Sequence, residues 1–146
     1  MPAIHFFEED ITYKLKHKTP VRQWITETIN AEGFKLKELN YIFCSDNYLL
    51  QINQQYLNHD TYTDIITFDN SENEASIVGD IFISIDRIRE NAAKFNHSET
   101  DELHRVIVHG ALHLLGYKDK TPAAKQKMTE KEDFYLDKRD FIPGKK

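Results

Sequence analysis

One cysteine, four prolines, five glycines and no long apolar run set the first limits on this chain of 146 residues. A lone Cys44 can form neither an internal disulfide nor a thiolate cage around a structural metal. Set beside Tyr41-Ile42-Phe43, it reads as a small buried hydrophobe. No stretch approaches the ~20 apolar residues that span a bilayer, so no membrane partner is expected. The opening Met1-Pro2-Ala3-Ile4-His5 runs on into acids and not into the core of a signal peptide, and a cytoplasmic location is expected. Internal repeats and low-complexity segments are absent. Positive charge is the remaining shortage: 19 Lys and Arg face 24 Asp and Glu, for a formal net charge of -5. That balance argues against a protein that coats nucleic acid indiscriminately, because such binding rests on neutralised phosphates. The shortage is uneven, since Lys118, Lys120, Lys125 and Lys127 gather in one short stretch and Lys14, Lys16 and Lys18 in another.

What is present suits one domain over residues 1–146, with 40% hydrophobic residues, 12% of the chain being aromatic, enough for a single core. A strand is predicted over residues 3 to 7. A helix is predicted over residues 20 to 32, with Thr19 as cap, Pro20 in first position and Gly33 as its stop. Residues 37 to 44 read as a strand, and Ser45 and Asp46 open a helix to about residue 57. Residues 63 to 68 and 77 to 85, rich in β-branched and aromatic side chains, read as an antiparallel pair. Asp86 is expected to cap a helix to about residue 95, Ser98 to open another to residue 115, and Thr121 with Pro122 a last one to about residue 138. Residues 142 to 146 read as a loose tail. The order gives an α+β fold, a small mixed β-sheet of about four strands covered by helices, with the helix that opens at Ser98 at its centre.

That helix carries the strongest chemical signal. The run from His109 to Asp119 (HGALHLLGYKD) spaces three metal-capable side chains as H-x3-H-x5-D. Residues four apart share a helix face, so His109 and His113 aim at one point. Gly116 stands where a helix closes with a left-handed residue, which turns the chain so that Asp119 comes back toward them. Three protein ligands and one open position describe a catalytic zinc rather than a structural one. The helix is apolar on nearly every side, hence buried, and buried imidazoles need partners. His104 is about 140° around the helix from His109 and does not share the ion. His5, His17 and His97 read as surface or core residues.

The run HGALHLLGY with its third ligand resembles the YbeY-type endoribonucleases, metal-dependent ribosomal RNA maturation factors of bacteria. Residues 56 to 68 (YLNHDTYTDIITF) and 78 to 84 (VGDIFIS) resemble two further patterns of that family, and the similarity spans most of residues 40 to 120. The resemblance implies a zinc-dependent endoribonuclease, one zinc or another divalent ion per chain, acting on single-stranded ribosomal RNA in small-subunit rRNA processing and ribosome quality control. It implies contacts with small-subunit ribosomal proteins or assembly factors, and a mechanism in which the metal at His109, His113 and Asp119 activates water and polarises a phosphoryl oxygen. Asp64, Thr67 and His59 become candidate substrate-binding residues. Asp80 matches a family aspartate, with a strand-end hydrogen-bonding role as its simpler explanation.

Two departures stand out. Most members carry a third histidine where this chain has Asp119, a hard ligand that adds negative charge. The family's arginine after the tyrosine matching Tyr56 is Leu57 here. Arg105, one turn before His109, or His59 is a candidate substitute, although Arg105 has Glu102 within pairing reach on its own helix. The alternative reading is a non-catalytic ribosome-assembly factor stabilised by its metal. A weaker third is a deaminase-like or amidase-like hydrolase. Peptidase chemistry lacks the glutamate of HExxH, replaced by Gly110, and no P-C-x-x-C run supports a nucleobase deaminase.

Overall fold

The structure, a computed structural model, describes residues 3–57, 63–73 and 75–141. Its elements run β1 (Ile4–Glu8), α1 (Lys18–Ala31), β2 (Lys35–Cys44), α2 (Asp46–Leu57), β3 (Ile65–Asp69), β4 (Ser76–Ser84), α3 (Ile85–Phe95), α4 (Glu99–Leu114) and α5 (Pro122–Leu136). The strands form one sheet in the order β1-β2-β4-β3. β1 and β4 lie parallel to β2, while β3 and β4 form the antiparallel pair. The expected α+β class and four-stranded mixed sheet are both observed.

Alternation along the strands sorts the core into two layers. Ile77, Ile81 and Ile83 of β4 face a main cluster shared with α1 and α4, including Val21, Ile25, Val108, Ala111 and Leu112. Phe82 faces the opposite side, where Ile66 and Cys44 meet Leu49 and Ile52 of α2. Cys44 is fully buried, as expected, and burial pushes its thiol up to about 12. α4 packs on β3, β4, α1, α3 and α5, which makes it the centre of the domain. The Tyr41 hydroxyl, fully buried, donates to the Ile107 carbonyl at 2.9 Å and fixes α4 to the middle of the sheet.

Two boundaries differ from expectation. α1 begins at Lys18 after His17 in left-handed conformation, with no side-chain cap. Pro20 therefore sits in the third helical position, where its missing N–H is still one that no helical carbonyl would have received. The cap of α3 is Ser84, whose Oγ accepts from the Arg87 backbone N–H. Asp86 instead accepts from the Asp46 backbone N–H at 2.9 Å, joining α3 to α2. The caps at Ser98 and Thr121 are as expected. The tail at 142 to 146 lies outside the described residues.

Candidate functional site

At the end of α4 the chain turns as its glycine dictates. Gly116 takes φ +106, its N–H reaches the His113 carbonyl at 3.1 Å, and the Tyr117 N–H reaches that of Leu112 at 3.2 Å. This is the paired bonding of a Schellman closure. It sends residues 117 to 120 back across the mouth of α4. Asp119 Oδ2 thereby stands 3.4 Å from His109 Nε2.

The other ring nitrogen has a partner that sequence reasoning missed. His109 Nδ1 lies 2.6 Å from Glu132 Oε2 on α5, and a carboxylate there fixes both the ring plane and the tautomer that leaves Nε2 free to bind. Glu132 is itself buried. Its other oxygen accepts from Arg105 Nη1 at 2.7 Å, and Arg105 Nη2 donates to Asp133 at 2.6 Å. Arg105 is thus paired with two carboxylates of α5, while Glu102, its expected partner, meets His97 instead. Signals for Glu132 do exist in the sequence, namely an acid on the last helix four residues after Met128. Only the docking of α5 on α4 gives that acid a target.

These residues surround a cleft of about 800 Å³, which also takes in Asp64, Thr67, His113, Lys120 and Lys125. Of the predicted site residues, His109, His113, Asp119, Arg105, Asp64 and Thr67 are all brought together there. His59 lies outside the described residues. Asp80 is on the far side of the sheet, where it accepts from the side-chain amides of Asn40 at 3.0 Å and Asn70 at 3.2 Å, a structural role made with side chains rather than with the backbone of a strand end. Asn53 also lines the cleft, with no sequence signal to mark it.

Charge around His109 favours a cation. Burial pulls its imidazolium down, but the bond and charge of Glu132, with Asp119 and Asp64, outweigh it and raise its pKa. Burial and the neighbouring His109 lower that of His113, against the pull of Asp119, which keeps it neutral, as a metal ligand must be. Burial raises Asp64, opposed in part by His109.

The donor set fits a divalent ion of the zinc type in chemistry. It fits in one spacing as well, because two atoms each about 2.1 Å from a tetrahedral zinc stand about 3.4 Å apart. Among the described residues, however, no three His, Cys, Asp or Glu side chains are already gathered into a cluster able to hold an ion. His109 and Asp119 stand in contact, and His113 lies exposed in the last turn of α4, within hydrogen-bonding reach of the Tyr117 backbone.

Fold and cleft together define a class: a small α+β protein whose buried central helix and following loop offer two imidazoles and a carboxylate to one open groove. The chain belongs to the YbeY family, whose model, described as Endoribonuclease YbeY, matches residues 3–140. A Cytophaga hutchinsonii protein of that name is 54% identical over 139 residues, covering 95% of this chain and 97% of the relative. Its Flavobacterium psychrophilum counterpart is 50% identical over 127 residues, 87% of this chain and 90% of the relative. The solution structure of TM1509 from Thermotoga maritima matches with a TM-score of 0.66 at 27% identity, covering 98% of this chain and 99% of the other. Among the described residues, no helix is long and apolar enough to cross a membrane.

Proposed function

We propose that this chain is a metal-dependent endoribonuclease that cuts single-stranded ribosomal RNA in the cytoplasm, in small-subunit rRNA maturation and ribosome quality control. The relatives named endoribonuclease support the reaction class. The observation that carries the site assignment is His109 held on Nδ1 by Glu132 while its Nε2 faces Asp119 at 3.4 Å. His109, His113 and Asp119 would hold one zinc or a comparable divalent ion. Such an ion supplies Lewis acidity toward a phosphoryl oxygen and toward water.

The remaining roles fall to the chain itself. Asp64, its carboxyl raised by burial, lines the same cleft and would bind the RNA strand or accept a proton from the attacking water. Thr67, on the edge strand β3, offers a hydroxyl to an extended strand of RNA. Lys120 and Lys125 at the cleft meet the flanking phosphates. They take the role considered for Arg105, whose charge is already matched by Glu132 and Asp133. Small-subunit proteins or assembly factors are the expected protein partners.

A second reading has its own support. Leu57 in place of the family arginine, together with a neutralised Arg105, favours an assembly factor in which the ion is structural. Cleavage of a single-stranded ribosomal RNA fragment by the purified protein separates the two, measured with chelator, with zinc restored, and beside His113→Ala. Activity that follows the metal and vanishes in His113→Ala is expected. A zinc-loaded protein with no cleavage would leave the assembly factor standing.

A further inference from the structure

Glu32 does not line the cleft, yet its carboxylate reaches both arms of the site. It follows α1 directly as that helix's C-cap residue. Its Oε1 accepts from the Tyr117 hydroxyl at 2.5 Å. Its Oε2 accepts from the Tyr135 hydroxyl and from Lys131 Nζ, the latter at 3.1 Å. Tyr117 is two residues before Asp119, and Lys131 and Tyr135 sit on either side of Glu132 on α5. The Glu32 side chain is only 11% exposed, so the contact is shielded from competing water.

The loop it reaches has little else to hold it. No hydrogen bond among the described residues engages the backbone of Lys118, Asp119 or Lys120, between the Schellman closure at Tyr117 and the cap at Thr121. Tyr117 packs against the main core, and the Lys131 ammonium lies over its ring at 5.7 Å. The position of Asp119 is therefore set from its two ends, Tyr117 and Thr121, and the Tyr117 end is anchored on Glu32.

We infer that Glu32 is a positioning residue for the proposed metal site. By binding Tyr117 and the Lys131 to Tyr135 turn of α5 on one carboxylate, it fixes Asp119 relative to the His109 that Glu132 holds. The inference rests on the metal reading above. Its simpler rival is a pin between α1 and α5 that affects stability alone.

The test measures zinc affinity of the full chain by chelator competition, without RNA, for the parent, Glu32→Gln, Tyr117→Phe and their double variant. Backbone hydrogen exchange of the Gly116 and Tyr117 amides, which close the turn onto α4, is followed in the metal-free proteins. Carboxylates that orient ligands typically change metal affinity 10- to 100-fold, so Glu32→Gln is expected to weaken zinc by about tenfold and to speed exchange at these two amides. Tyr117→Phe is expected to do the same, and the double variant to be no worse than Glu32→Gln, because both act through one contact. Unchanged affinity and exchange with a lowered Tm would overturn the inference in favour of the pin. If Glu32→Gln does not fold, Tyr117→Phe, which removes one hydroxyl, decides alone. A parent protein that binds no zinc would sink the metal reading itself and the inference with it, whereas equal binding by parent and variants would sink only the inference.

Discussion

At the scale of single residues, the ligand run is legible because its geometry is local. Helix periodicity sets His109 against His113, and one glycine turns Asp119 toward His109. Glu132 was illegible for the opposite reason, since it stands 23 positions along the chain from His109 and its meaning depends on the chain folding back. Asp119→Ala is expected to lower zinc occupancy, while Asp119→His keeps the site filled; full occupancy of Asp119→Ala in metal analysis would remove it as a ligand. His104 makes a separate prediction. It is 1% exposed, its Nδ1 accepts from Arg139 at 2.8 Å, and burial followed by the Arg139 charge lowers its pKa to about 4. The unfolded chain binds a proton here near pH 6.5 that the folded one refuses until about pH 4. Its contribution is thus complete above the unfolded value and falls by roughly 3 kcal/mol as pH drops through that window. Urea midpoints between pH 7 and 5 should decline more steeply for the parent than for His104→Gln, and parallel declines would contradict this.

At the scale of elements, strands and helices were readable from alternation and from caps. The errors fell at helix starts: the His17 carbonyl accepts from the Val21 N–H and begins α1 by a local helical bond with no side-chain cap to announce it, and a tertiary contact makes Asp86 serve α2 rather than its own helix. Gly110 gains a meaning no spacing contained. A Cβ there would stand 2.9 Å from Ile65 Cδ1 and 3.0 Å from Ile81 Cδ1, so any side chain at this place must push the ends of two isoleucines aside. The glutamate of a metalloprotease would have to do the same. Gly110→Ala is expected to destabilise by about 1 to 3 kcal/mol through overpacking and to weaken zinc by displacing His109. A variant with parent-like stability in chemical denaturation would show that the helix yields freely. Thr121→Ala removes the cap whose Oγ accepts from the Ala124 N–H at 3.1 Å and should lower stability by about 1 kcal/mol, again read by denaturant melts.

At the scale of the whole molecule, the sign of the charge is the governing quantity. The cleft is lined by the carboxylates Asp64, Glu102, Asp119 and Glu132 against the cations Arg105, Lys120 and Lys125. A metal-free groove of that balance repels a polyanion, and a divalent ion reverses it. RNA affinity is therefore expected to fall on chelation even where cleavage is blocked. The double variant Lys120→Ala, Lys125→Ala should flatten the slope of log K against log salt by about 0.7 per lysine, checked by fluorescence anisotropy at several salt concentrations. An unchanged slope would move the RNA path elsewhere. None of this was readable from a net charge of -5, which averages over a surface that the fold divides.

The docking of α5 on α4 also imposes an order in time. The chain leaves the ribosome from its first residue onward, so His109 emerges before Asp119, and both emerge before the Glu132 that orients the ring. A nascent chain halted ahead of α5 carries histidines with no carboxylate to aim them. A protein proposed to cut ribosomal RNA would thus be born unarmed beside the very RNA that makes it, and would become competent only once its last helix has left the tunnel and closed on the fourth.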